Sequence, residues 1–133
     1  MHQTEEQRRF PREKADIDAV IYIIAPEETF SAQTFHGKIT NLSLAGIGVS
    51  IPEMPRAMFQ LLLRGRRLAR VMARLPGNET ESRLFGTIAW IDFRETDSPA
   101  SCRIGISVDQ VSEKTRQELQ QALEFMQSQL IPA

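Results

Sequence analysis

Asn41-Leu42-Ser43-Leu44-Ala45-Gly46 lies between two stretches with the two-residue period of half-buried strands. Before it, residues 34–42 interleave polar side chains with Phe35 and Ile39. After it, Ile47, Val49 and Ile51 alternate with Gly48 and Ser50. Asn, Ser and Gly favour a turn, because short polar side chains bond to nearby backbone and glycine adopts angles closed to other residues. The stretch therefore predicts a hairpin, and the hairpin predicts an antiparallel sheet.

The pattern repeats outward in both directions. Upstream, residues 16–25 alternate Ile17, Ala19, Ile21 and Ile23, and Pro26 ends the run. Downstream, Pro52 and Pro55 mark a loop, and the apolar run 58–63 reads as a fourth strand. Residues 66–75 set Ala69, Val71, Ala73 and Leu75 against Arg70, Met72 and Arg74, which is a strand pattern. A helix competes there through Leu68, Val71, Met72 and Leu75. Gly77-Asn78 turns the chain into a strand over 84–93 that holds the single tryptophan, Trp90. A polar loop over 94–101 leads to a last strand over 102–108.

The tail changes period. Leu119, Ala122, Leu123, Met126 and Leu130 recur at helical intervals, Ser112 is a fitting N-cap with Glu113 in the first turn, and Pro132 lies beyond the end. The expected fold is all-β: a six- to seven-stranded antiparallel β-barrel with one C-terminal α-helix, formed as one domain by residues 15–133. Residues 1–14 are expected to form a flexible N-terminal arm.

At 133 residues the chain can bury a sizeable core without disulfides or metals. Its 41% hydrophobic and 25% charged content is ordinary for a globular protein, and no run approaches a membrane span. The first residues are polar, with no secretory signal, and the one cysteine, Cys102, can form no intramolecular disulfide. A cytoplasmic protein without membrane insertion is expected. Net charge −1 argues against a general DNA or RNA surface. Three of the sixteen basic residues are lysine and the other thirteen arginine, which suits defined polar recognition better than diffuse attraction.

The sequence is poor in the parts of a catalytic site. His2 lies in the tail, and His36 has no His or Cys at ligand spacing, so it reads as a strand-surface residue and no metal site is expected. Cys102 reads as core. No phosphate loop or dinucleotide-binding glycine motif is present, and no enzyme activity is expected. The series Arg66-Arg67, Arg70, Arg74 could be a nucleic-acid stripe, but no aromatic residue interleaves with it. A solvated strand face is the favoured reading.

Arg8-Arg9-Phe10-Pro11-Arg12 remains. Three guanidinium groups in five residues are suited to gripping phosphate and the O6/N7 edge of guanine, and Pro11 biases Phe10 towards extended geometry. The segment is either a wrapping ligand clamp or a solvated basic tail.

Taken together, Arg8-Arg9-x-x-Arg12 and Asn41-x-Ser43-x-x-Gly46, followed by Gly86-Thr-Ile-Ala-Trp90 and Arg103-Ile-Gly105-Ile, resemble the PilZ domain family, from Arg8 to about residue 126. That family binds the bacterial second messenger cyclic di-GMP. The resemblance implies a six-stranded barrel with a C-terminal helix. It further implies that Arg8, Arg9 and Arg12 hold phosphates and guanine faces, that Asn41 and Ser43 hydrogen-bond guanine, and that Gly46 lets the backbone turn beneath it. Trp90 would either line the base site or belong to the core. Asn41 replaces the commoner Asp and removes a charged acceptor. Val108 stands where Phe is frequent. Gln7 occupies a position that bears on whether one or two cyclic di-GMP molecules bind. The implied function is a receptor that orders its arginine arm on the ligand and signals through an unidentified downstream protein. The rivals are a PilZ-like interaction module without nucleotide binding and a small RNA-binding β-barrel.

Overall fold

The computed structural model describes residues 13–24, 33–64, 67–94, 101–108 and 112–130. Strands β1 (Glu13–Ile24), β2 (Gln33–Leu42) and β3 (Gly46–Ile51) run antiparallel in succession, followed by helix α1 (Arg56–Leu62). β4 (Leu68–Ala73), β5 (Ser82–Arg94) and β6 (Ser101–Ser107) come next, and α2 (Glu113–Leu130) ends the described chain. The sheet closes in the order β1-β2-β3-β6-β5-β4, so β4 pairs back onto β1 and no edge strand remains open.

Alternation read along the sequence becomes inside and outside here. Ile21, Ile23, Ile39, Val49, Val71, Leu84 and Ile104 all point inward and are at most 1% exposed. A one-residue slip would turn any of these sets outward, which is what holds the register. Each such side chain contributes about 1.5–3 kcal/mol through burial. Cys102 belongs to the same interior, as the sequence predicts. Burial, reinforced by the negative charge of Asp92, pushes its thiol up to about 11, so it stays protonated and unreactive at neutral pH.

Helix α1 overturns the strand expected over 58–63. Met58, Leu61 and Leu62 are the buried positions, spaced three and four apart, and the run has no polar alternation that a half-exposed strand would need. Pro55 stands at the N-cap with extended angles and makes no side-chain cap bond. The helix covers one end of the barrel, where Phe59 stacks on Phe93 with ring centroids 4.1 Å apart. Among the described residues the barrel thus carries this short internal helix in addition to the expected C-terminal one.

Residues 68–73 are the strand, not the competing helix, and Leu68 and Met72 lie on its outer side. At the far end of β5, α2 buries Leu119 and Ala122 in the core. Asn78 Nδ2 donates to the Glu118 carbonyl at 3.4 Å there. The N-cap is the expected one: the Thr115 N–H donates to Ser112 Oγ at 3.2 Å. β1 starts earlier than the sequence pattern suggested, so Glu13 and Lys14 pair with Leu42 and Asn41.

Candidate functional site

Asn41 sits at the end of β2, where pairing with β3 shifts register between Ile39 and Asn41. The irregularity leaves Asn41 opposite Gly48. Gly48 pairs with Gly105 on β6, and Gly105 pairs with Trp90 on β5 across a second shift between Ile88 and Trp90. On the other side Lys14 faces Asn41, next to a third shift between Lys14 and Ile17. One lateral row, Lys14–Asn41–Gly48–Gly105–Trp90, thus crosses five strands on the outside of the barrel. Bulges bend strands and re-aim side chains, and three of them adjoin this row.

The two central glycines allow the flanking side chains to lie down. A Cβ on Gly105 would overlap the Trp90 indole nitrogen, and a Cβ on Gly48 would stand 2.5 Å from Asn41 Nδ2. Indole and amide therefore rest flat against bare backbone, facing each other along the row. Trp90 is 39% exposed, so it belongs to the surface and not to the core. Beside it opens a cleft of about 160 Å³ with Asn41, Ser43 and Ala45 on one side and Trp90 and Ser107 on the other.

Ser43 builds the rim. Its hydroxyl accepts from the Ala45 and Gly46 N–H groups at 3.2 and 3.1 Å and donates to the Gly46 carbonyl at 3.2 Å. The Ser43 N–H donates to the same carbonyl at 2.9 Å, and the Val108 N–H ties the turn to β6 through the Ala45 carbonyl at 2.9 Å. With one donor and two acceptor sites engaged, the hydroxyl is fully used within the turn. Gly46 is needed for close approach: a Cβ would stand 2.5 Å from the Ile106 carbonyl oxygen. The positive φ that glycine could offer is not used there. Among the described residues Gly77 alone takes it, at 81°.

Among the described residues, no side chain lining the cleft is ionisable. It offers an amide with donors and an acceptor, a π face and backbone polar groups, which suits a flat heteroaromatic ring better than a bare anion. Lys14 is the nearest cation along the row, and sequence reasoning did not single it out. Gly48 and Gly105 were also missed as floor residues, although glycine inside a strand pattern is a signal of close approach. Arg8, Arg9, Arg12 and Gln7 lie outside the described residues. His36 is exposed on β2, as expected, and among the described residues no three His, Cys, Asp or Glu gather as metal ligands. No helix among them is long and apolar enough to cross a membrane.

Curated proteins contain no significant match to this chain. Solved structures do. The PilZ domain of YcgR from Escherichia coli with c-di-GMP aligns with a TM-score of 0.63 at 16% identity, over 92% of this chain and 94% of that one. The MrkH–c-di-GMP complex of K. pneumonia gives 0.64 at 15% identity over 92% of this chain. The Inhibitor of motility of Bacillus subtilis gives 0.58 at 17% over 93%. The chain spans about half of these last two, 53% and 52% of their lengths. At such identities the likeness speaks for the barrel alone. The family model for the PilZ domain matches residues 6–125, almost the whole length, and with the six-stranded barrel this makes the chain a member of the PilZ domain family.

Proposed function

We propose that the chain is a receptor for cyclic di-GMP that acts by binding, and that it passes occupancy on to a partner protein. The observation that carries this reading is the row itself: a cleft between Asn41 and Trp90 whose described lining is uncharged, with β1 starting directly beside Asn41. Arg12 lies two positions before Lys14, at most about 7 Å of extended chain. Arg12, and with it Arg8 and Arg9, is thus close enough along the chain to serve a cleft whose described lining carries no charge. The division of labour follows from chemistry. Guanidinium groups grip phosphates and guanine edges in two-point fashion, the Asn41 amide meets a purine edge, and the indole supplies a stacking face. Ser43 and Gly46 serve the ligand by fixing the rim against β6.

The arm completes the site. Residues 1–12 are polar and charged, with Met1 and Phe10 the only large apolar side chains, so they cannot offset their ordering entropy by a core of their own. The ligand's two phosphates offset the repulsion among the arginines, and binding orders the arm across the barrel wall, changing the surface offered to a partner. Similar proteins solved with c-di-GMP support the choice of ligand.

Calorimetry with cyclic di-GMP, GMP and a short RNA tests the reading. Saturable binding of cyclic di-GMP tighter than about 100 μM, roughly −5.5 kcal/mol or stronger, is expected, with GMP weaker and RNA silent. Heat from RNA alone would favour an RNA-binding barrel, and silence from all three an interaction module. Amide hydrogen exchange then addresses the arm: protection should rise over residues 8–12 with ligand, while Glu13 and Lys14, already paired in β1, change little.

A further inference from the structure

The arginine series that reads as a solvated strand face is something else in three dimensions. Arg67 is buried, at 7% exposure. Arg70 stands mid-strand on the outer side of β4, and the register sets Tyr22 of β1 and Phe85 of β5 directly on either side of it. Its guanidinium lies 4.8 Å from the centre of the Tyr22 ring. One row over, Met72 lies between Val20 and Arg83, and one row back Leu68 is 41% exposed. Phe85 is 47% exposed. The outer wall formed by β1, β4 and β5 thus sets apolar side chains beside Arg70 and Arg83 over three rows, away from the row that holds Asn41 and Gly105.

Within these three rows the only charges are basic, Arg70 and Arg83, while Asp18 and Glu81 lie one row beyond. Arg70, Arg74 and Arg83 belong to this face, and among the described residues none of them has a carboxylate within ion-pair distance. The acidic residues nearby on β1, Asp16 and Asp18, face Lys38 instead, at 2.9 and 3.9 Å. Solvent-facing Phe, Tyr, Met and Arg in one patch is the composition of a protein-binding centre, and guanidinium groups that meet no carboxylate among the described residues select for carboxylates of a partner. The outer face of α2 supplies few: Glu113 and Glu124 are accompanied there by Lys114 and Arg116, and the third glutamate, Glu118, is half-buried, so a second copy of this helix is a poor complement.

We propose that the β1–β4–β5 wall is a docking surface for an acidic amphipathic helix of another protein. The partner's apolar stripe lies over Tyr22, Met72 and Phe85, and its Asp or Glu side chains meet Arg70 and Arg83. An amphipathic helix presents an apolar stripe with charge beside it, which matches Tyr22, Met72 and Phe85 lying beside Arg70 and Arg83. The proposal does not depend on which nucleotide the other wall binds.

The test uses the full chain and two fluorescent helical peptides about 15 residues long, sharing one leucine stripe and flanked by Glu or by Lys. The Glu peptide should bind and shift the amide resonances of residues 20–24, 68–72 and 83–87. Arg70→Glu should weaken it at least about tenfold and create affinity for the Lys peptide. Phe85→Ser, which removes a side chain that is largely outside the core, should weaken the Glu peptide with the rest of the amide spectrum unchanged. Equal binding by both variants, or shifts confined to other strands, would overturn the proposal. So would self-association through these strands without peptide, which would assign the wall to a second copy. A labelled oligouridine that competes with the Glu peptide and binds more tightly would assign it to nucleic acid.

Discussion

Around the Asn41 row, three of the four strand seams shift register; across the Arg70 row, from β1 through β4 to β5, neither seam does. The first wall carries glycine at its centre and lays its large side chains flat. The second carries Arg70 and Met72 at its centre, with the Arg70 guanidinium 4.8 Å from the centre of the Tyr22 ring. Shifted pairing and absent side chains make a concavity, the usual form of a small-molecule site, whereas even pairing keeps large side chains in continuous rows, a surface suited to another macromolecule. The described interior of the barrel is filled by Ile, Val and Leu. Both proposed sites therefore lie on its outside, and the two walls differ in how they would serve one.

The largest effect should come from the arm. Arg8→Ala or Arg12→Ala removes a charged donor worth very roughly 1.5–3 kcal/mol, and cyclic di-GMP affinity should fall about ten- to a hundredfold by calorimetry, with peptide docking on the Arg70 wall untouched. Unchanged affinity in both variants would take the arm out of the site. Next is the rim. Ser43→Ala leaves the Ala45 and Gly46 N–H groups of a buried turn without their acceptor, costing about 1–3 kcal/mol and lowering the melting temperature by several degrees. A melting curve that does not move would mean that the hydroxyl is not a structural element and belongs to ligand recognition.

A third substitution separates the walls. Gly105→Val forces the Trp90 indole off the strand, and cyclic di-GMP affinity should drop at least about tenfold, or about 1.4 kcal/mol. Phe85→Ser on the same strand β5 should leave that affinity within about twofold, because exposed positions away from a contact rarely matter. If both lower it equally, β5 transmits between the two walls and they are not independent.

What could be read beforehand depended on how local the cause was. The strands were legible because Ile21, Ile39, Val49 and Ile104 declare their face within a few residues. α2 was legible from Leu119 and Ala122 at helical spacing and from the Ser112 cap. Helix α1 was not, although Met58, Leu61 and Leu62 carried the same spacing, because seven residues between prolines and basic residues give too few turns to outweigh an apolar run. The turn at Ser43 and Gly46 was found, but for Gly46 the reason offered was partly wrong: the backbone of β6, sixty residues on, forbids a side chain there. Gly48, Gly105 and Lys14 join Asn41 only through pairing across bulges, and Arg70 meets Tyr22 and Phe85 only through register. Such juxtapositions depend on which strand lies beside which, information that no short window of sequence holds.

The smallest effect should lie between the walls, where Lys38 on β2 reaches back to the irregular start of β1. Its ammonium donates to Asp16 Oδ1 at 2.9 Å and approaches Asp18 at 3.9 Å. The hydrogen bond to Asp16, then the charges of Asp16 and Asp18, hold its pKa above the ordinary lysine value. The raised pKa means the folded state favours the charged form. Any stability gained is therefore fully present below the ordinary lysine value and is lost as pH rises through the higher folded value, never on acidification by this group. All three side chains stand in water, where ion pairs are screened and side-chain ordering offsets most of the attraction. Lys38→Gln should accordingly leave the melting temperature at neutral pH unchanged within error, at low salt and at high. A clear loss at low salt that disappears at high salt would show that this pair pins the bulge beside Lys14, and that the shape of the Asn41 wall depends on charge as well as on glycine.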